Sequence, residues 1–362
     1  MQAKNLCFYL SDHGFGHIAR NIPLIAETVR RTNGFVYVVC GERHLEFAKA
    51  NLLEMLDSEQ LSRVQYRTEH TDIGLILQHG TLLVDTAALT DVCAQYLAEL
   101  PERAKREAEW LHQQEIAAAL CDMPLWSISA CEQADVPLLY VGNFTWTELY
   151  QEFLPEQIWE AYAAEYRKIW HGMLYALHNP EMLEFLPRAE LSETSLVARS
   201  FHPDEIRTIR ARHTCPIVFV ALGMSAQFTQ PVSVEGVNAH FYVTEGVPLT
   251  GSNVTVIPYS TLHTQDYVAA ADYVITKAGW GTVAECLLAQ KPMALFARDS
   301  VLEDRTTIRL LEQKKLAIKV TYEQLTEMSD LLEQMKQITY PAVPEYHNAA
   351  AEIVSKLLTL TE

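Results

Sequence analysis

The chain has 362 residues, 49% of them apolar and 20% charged, an ordinary globular composition with length enough for two domains with full cores. Its formal net charge of −18 argues against a nucleic-acid groove or an anionic membrane as main partner, since both need clustered Lys and Arg. Seven cysteines with no C-x-x-C pair read as buried free thiols, no run approaches the ~18 apolar residues of a spanning helix, and the short apolar stretch after Lys4 is no signal peptide, so a soluble cytoplasmic protein is expected.

Leu6 to Leu10 is a near-continuous apolar run, as expected of a central parallel strand. It feeds the loop SDHGFGH from Ser11 to His17. Ile18, Ile22, Ile25, Ala26 and Val29 then space out a helix, with Pro23 near its start or at a kink. Phe35 to Val39 is the next strand and Val64 to Arg67 a third. Strand, glycine loop, helix and strand open a doubly wound α/β domain. The loop is not the dinucleotide fingerprint, because Ala19 stands where its last glycine belongs. His17, at the carboxyl end of the first strand, suits general-base chemistry; the alternative is a helix-start histidine that bonds only backbone.

His70, Asp72, His79 and Asp85 match no metal-ligand spacing and read as solvated loop residues. A helix follows from Thr86 to Gln114, with a mixed charged face between Glu102 and Glu109. Ile116 to Cys121 is another buried strand and ends at Asp122; Ser127 to Ala134 is a helix and Pro137 to Val141 a strand. The carboxyl ends of parallel strands share one edge, so Asp122 can face His17 and fix its tautomer; the alternative is an N-cap for the next helix. From Asn143 to Phe185 aromatic residues recur at three, four or seven, which predicts mostly helix and core, with Phe144 and Trp146 as pocket candidates.

His178 to Pro203 reads as an interdomain connection. A second α/β alternation starts with the strand Pro216 to Leu222 and a small-residue loop, Gly223 to Ala226, suited to phosphate. Strands follow at Phe241 to Thr244 and Val254 to Ile257, then a helix from Thr264 to Ala271. The stretch VITKAGWGTVAE, Val274 to Glu285, reads as strand, tight turn and helix start. Such a turn suits a phosphate, because the first helical N–H groups lack partners and carry partial positive charge. Gly279 and Gly281 permit φ > 0 and close approach, Thr282 adds a hydroxyl and Lys277 a charge. Thr282 and Glu285 also fit a capping box. Pro292 to Phe296 and Leu316 to Val320 are further strands, and helices follow at Tyr322 to Gln337 and Glu345 to Thr359.

In order and spacing these segments resemble glycosyltransferases of the two-Rossmann (GT-B) fold, in the branch containing MurG and the plant UDP-sugar transferases. The marks are GFGH at Gly14–His17, GWGTVAE at Gly279–Glu285, Lys291-Pro292 and Glu303-Asp304. The chain is similar over almost its whole length to the glycosyltransferase-like N-terminal half of plant L-arabinokinases. That similarity lies in DHGFGHIAR from Asp12, DIG from Asp72, Val84-Asp85, NFTW from Asn143, KAGWGTVAE from Lys277 and RDSVLED from Arg298.

The resemblance implies an α/β architecture of two Rossmann-like doubly wound domains facing a cleft. The expected division is 1–190 for the acceptor, 191–340 for the nucleotide sugar, and a helix in 341–362 returning to the first domain. It implies a metal-independent inverting transfer from a nucleotide sugar, UDP-sugar foremost, to a hydroxyl of a small molecule or glycan, without a bound cofactor; the absence of a D-x-D motif agrees. His17 matches the base and Asp122 its partner. Gly279, Trp280, Gly281 and Thr282 match the turn under the diphosphate, with Gly16, Gly223, Ser225 and Lys277 on the donor side. Glu285 matches the ribose-holding glutamate, and Tyr259 lies where backbone meets uracil. Glu303 and Asp304 fall where donor-sugar hydroxyls are held, although many relatives have Asp-Gln or Gln-Gln there. His13, Phe15, Phe144 and Trp146 are assigned to the acceptor. The rival readings are a nucleotide-sugar epimerase or hydrolase on the same fold, and a sugar-nucleotide-binding module without turnover.

Overall fold

The computed structural model describes residues 4–78, 83–187, 190–222, 231–296, 298 and 301–362. The chain divides into two compact units, the first made of Met1–Leu77, Val84–Val197 and Asn348–Glu362, the second of Gln78–Leu83 and Ala198–His347.

The first unit is built on seven strands: β1 (Asn5–Leu10), β2 (Val36–Cys40), β3 (Val64–Thr68), β4 (Ile116–Asp122), β5 (Leu138–Gly142), β6 (His171–Tyr175) and β7 (Leu191–Thr194). Their order is β3-β2-β1-β4-β5-β6-β7, and every pairing is parallel. Leu6 to Leu10 are fully buried because β1 is central and covered on both faces, which is why the run shows no polar alternation. The helix Phe15–Arg31 follows β1, and Pro23 lies inside it, buried. Two strands escape the periodicity. His171–Tyr175 sits in the aromatic stretch that reads as helix, and Leu191–Thr194 in the stretch that reads as connection. A strand of four or five residues is too short to show its period against aromatic spacing that also fits a helix. Because β7 pairs with β6, the first unit runs to Val197 rather than ending at 190.

The second unit holds β8 (Ile217–Ala221), β9 (Val232–Ser233), β10 (His240–Thr244), β11 (Leu249–Thr250), β12 (Val254–Ile257), β13 (Tyr273–Lys277), β14 (Met293–Phe296) and β15 (Ala317–Val320). Its main sheet has the order β12-β10-β8-β13-β14-β15, again parallel, and β9 pairs with β11 beside it. Tyr322 to Gln337 forms two helices, Tyr322–Leu325 and Met328–Met335, instead of one. The last helix, Ala350–Thr359, belongs to the first unit. It packs on Phe15–Arg31 and on β4, burying Ile353, Val354 and Leu357, each worth roughly 1.5–3 kcal/mol when fully buried. Arg31 ties the same two helices through Ala351 O (3.0 Å) and Ser355 Oγ (2.9 Å). Among the described residues no helix is long and apolar enough to cross a membrane.

In both sheets the strand order reverses at one place, between β1 and β4 in the first and between β8 and β13 in the second. In open parallel sheets the crevice outside the carboxyl ends at that reversal is where ligands bind.

Candidate active site

At the reversal in the first unit, β1 ends at Leu10 and Gly14 carries φ 84°, a conformation that favours glycine, with open space where a Cβ would stand. The helix Phe15–Arg31 then starts with no side-chain cap and no acidic residue in its first turn. His17 sits in that turn, 8% exposed, and Asp122 at the end of β4, fully buried. His17 Nδ1 lies 2.8 Å from Asp122 Oδ1. Asp122 caps no helix, since the next one starts after Pro124. Arg20 donates to both oxygens of Asp122, from Nε at 2.7 Å and from Nη2, and Asn21 Nδ2 donates at 2.6 Å. Arg20 and Asn21 follow His17 by three and four residues, so the helix sets all three on one face. That spacing was readable in the sequence, but their common target was not.

These contacts set the charges. Burial would raise Asp122, yet Arg20 and His17 hold it well below the usual carboxylate range. Burial is the main cause that holds His17 below the ordinary 6.5; Asp122 opposes it and Arg20 reinforces it. A neutral His17 whose Nδ1–H faces Asp122 has Nε2 as its acceptor, which is the arrangement a general base needs.

A second constellation flanks the first. Asp12 and Asp72 each donate a backbone N–H to the other's Oδ1 at 3.3 Å, and His70 Nδ1 lies 2.8 Å from Asp12 Oδ2. Against the burial that would raise it, His70 and Asp72 pull the Asp12 carboxyl down. Burial, and then Asp12, push Asp72 well up. Trp146 Nε1 donates to Asp72 Oδ2 at 2.8 Å. Asp72 is therefore buried and networked rather than solvated, while His70, though paired with Asp12, stays exposed as a solvated loop residue. Asp85 caps the helix Thr86–Gln113 through Ala88 N, and His79 lies outside the described residues.

Phe144 and Trp146 are each 2% exposed. Phe144 lies edge-on to His17 at 6.0 Å between ring centres, and Trp146 edge-on to His13 at 5.3 Å, so they back the two imidazoles from inside. Phe15 is exposed and stacks on His44, and Gly16 beside it is exposed.

At the reversal in the second unit, β13 ends at Lys277 and the helix Trp280–Leu288 begins after Gly279, with no side-chain cap and no acidic residue in its first turn. Thr282 is thus inside the helix, and the capping-box reading does not hold. Gly279 has φ −71°, so its value is close packing rather than a left-handed turn: a Cβ would stand 3.3 Å from Lys277 Cε. Trp280 is buried, while Gly281 and Thr282 are half-buried. Burial lowers Lys277 and the nearby Arg298 adds to it, against Asp304 and Glu303. Among the described residues no hydrogen bond or ion pair reaches the Lys277 ammonium within the second unit's site.

Glu285 points elsewhere than to its own helix start. Its Oε1 accepts from Arg199 Nη2 at 2.9 Å and Nε at 3.2 Å, both residues being buried. Arg199 also reaches Leu262 O (2.6 Å) and Thr264 Oγ1 (3.0 Å). No local pattern in the sequence marks Arg199. Asp304 is fully buried, and Arg298 takes both its oxygens through its backbone N–H, Nε and Nη2 at 2.7–2.9 Å; Glu303 next to it is half-buried. Tyr259 is 62% exposed, and its backbone N–H donates to Glu245 Oε2 at 3.0 Å. Gly223 and Ser225 lie outside the described residues. His202, His263 and Asp266 come together at the start of two helices, where Asp266 accepts the ring and backbone N–H of His202, both at 2.8 Å.

Residues 213–360 match the family described as glycosyltransferase family 28 C-terminal domain. The L-arabinokinase of Arabidopsis thaliana is 23% identical over 334 residues, which cover 86% of this chain but only 30% of that protein. Among solved structures, Arabidopsis thaliana UGT89C1 complexed with quercetin superposes with TM-score 0.66 at 11% identity over 100% of both chains. Phytolacca americana UGT2 complexed with UDP-2fluoro-glucose and pterostilbene gives TM-score 0.65 at 11% identity, over 99% of this chain and 100% of that one. The chain has the GT-B glycosyltransferase fold, two Rossmann-like α/β units in one polypeptide.

Proposed function

We propose that the chain is a glycosyltransferase that moves a sugar from a nucleotide sugar, in first place a UDP-sugar, to a hydroxyl of a small molecule or glycan, with inversion at the anomeric carbon. The carrying observation is the buried His17–Asp122 pair, 2.8 Å apart, at the carboxyl edge of the first sheet where the strand order reverses. The family 28 match over residues 213–360 supports a sugar-nucleotide site in the second unit, and the solved relatives include complexes with UDP-sugars.

In this reading His17 Nε2 takes the proton of the acceptor hydroxyl as its oxygen bonds to C1 of the sugar. The bond from C1 to the diphosphate oxygen breaks, and UDP leaves with the electron pair. Asp122 stabilises the imidazolium that forms. The uncapped N–H groups at Trp280–Leu288 and the Lys277 ammonium meet the charge gathering on the diphosphate. Glu285, oriented by Arg199, takes the ribose hydroxyls. The acceptor is held near His13, Phe15 and the Asp12–Asp72 network. Asp304 acts on the donor sugar through its partner Arg298, and Glu303 beside it contacts a sugar hydroxyl.

Asp304 also favours a second reading, a sugar-nucleotide-binding module without turnover, because a residue assigned to the donor sugar is engaged within the protein. Release of UDP from a panel of UDP-sugars, with and without an acceptor pool, separates the two. Acceptor-dependent release, lost roughly 10²–10⁴-fold in His17→Ala with the UDP-induced rise in Tm retained, is the expected result. A rise in Tm with no release from any donor supports the module. Release that ignores the acceptor supports an epimerase or hydrolase.

A further inference from the structure

A histidine and its orienting carboxylate need one hydrogen bond between them, yet Asp122 receives four: from His17, twice from Arg20 and once from Asn21. Arg20 is itself 3% exposed and has three further close neighbours. Its Nη1 donates to Asn143 Oδ1 at 3.0 Å, its Nη2 stands 3.0 Å from His17 Nδ1, and its guanidinium lies 5.3 Å from the centre of the Tyr175 ring. The fork is thus fixed by the helix Phe15–Arg31, by β4, by the turn after β5 and by β6.

We propose that Arg20 is the positioning residue of the His17 base: it neutralises Asp122 and clamps it, so that the carboxylate fixes the Nδ1–H tautomer of His17 without drawing the ring into the imidazolium form. The proposal rests on the base reading of His17 given above. A buried carboxylate alone beside an imidazole favours its charged form, and a charged ring has no lone pair for a substrate proton. Arg20 removes that pull twice over. It cancels the charge of Asp122, and it sets a like charge 3.0 Å from the ring nitrogen. Among the described residues, the other ionisable groups near His17 are few. Asp12, at the end of β1, favours the charged ring and is itself paired with His70; His44, on the helix Glu42–Met55, opposes it. Tyr140 on β5 and Tyr175 on β6 stay neutral, since burial raises both phenols.

A purely structural Arg20 would lower stability when replaced and leave the titration of His17 where it was. The test is a histidine-labelled NMR titration of the full chain, with His17 assigned through His17→Gln, in wild type, Arg20→Gln and Arg20→Lys. The expected result is a His17 midpoint raised by about one to three pH units in Arg20→Gln and near wild type in Arg20→Lys. The acid limb of the turnover profile moves with it. An unchanged midpoint in folded Arg20→Gln overturns the proposal and leaves the transferase reading intact. Lack of turnover in wild type sinks that reading, while the titration still decides the role of Arg20. Should Arg20→Gln not fold, Arg20→Met carries the test, since it keeps an unbranched stem beside Tyr175 and removes the charge. A His17 midpoint raised by about one to three pH units supports neutralisation, and one like wild type overturns it.

Discussion

Arg199 donates from both Nε and Nη2 to a single oxygen of Glu285, at 3.2 and 2.9 Å, joining the first residues of the second unit to the helix after β13. The glutamate proposed to hold the ribose is therefore oriented by a partner within its own unit. Glu285→Ala should weaken nucleotide binding by roughly 10- to 100-fold, as one or two hydrogen bonds to a charged group are worth about 1.5–3 kcal/mol. Arg199→Ala should do the same and also destabilise the second unit, because it leaves a buried carboxylate without its partner. Calorimetric titration with UDP and the Tm of the free protein read the two effects separately. A Glu285→Ala variant that binds UDP like wild type would remove Glu285 from the site.

Lys277 tests the phosphate assignment. Lys277→Met should lower affinity for UDP by about tenfold, leave affinity for uridine unchanged and flatten the salt dependence of UDP binding. An equal loss for UDP and uridine would mean that Lys277 shapes the pocket rather than meeting the phosphates.

The direction of the His17 shift sets two pH dependences. Its folded value lies below the ordinary 6.5, so between the two the unfolded chain binds more protons and the folded state loses stability as pH falls. For the same reason kcat/KM should be flat above 6.5 and fall only on the acid side of it. A turnover profile whose acid limb lies above 6.5 would show that a different group limits the reaction, or that Asp122 outweighs burial and Arg20.

Gly74 has φ 67°, and a Cβ there would stand 1.9 Å from Nδ1 of His13. Gly74→Ala should cost about 1–3 kcal/mol in stability from backbone strain and displace His13. On the proposed reading the KM for acceptor rises while the affinity for UDP holds. A variant with wild-type Tm and acceptor KM would mean that His13 has room to move and no part in the site.

Much of this was legible in the residues themselves. Runs such as Leu6–Leu10 and Ile116–Cys121 marked central strands because strands covered on both faces carry no polar alternation. A parallel sheet places the carboxyl ends of all its strands on one edge, so His17 and Asp122 could be paired across more than a hundred positions of sequence. Local order could not reach further. The strands β6 and β7 were hidden in stretches too short for a period to show. The uncapped start of Trp280–Leu288 displaced the capping box that Thr282 and Glu285 spell out, and Glu285 turned to Arg199 instead. Arg20 was in plain view at i+3 from His17, but that it shares Asp122 depends on β4 lying beside β1. Asp304, which reads as a hydroxyl-binding residue, is claimed by Arg298 six residues earlier. Sequence determined the elements and the edge on which the chemistry gathers, since both follow from local periodicity and parallel topology. Which charged group answers which was decided by tertiary structure alone, because a buried charge takes the partner that packing brings to it.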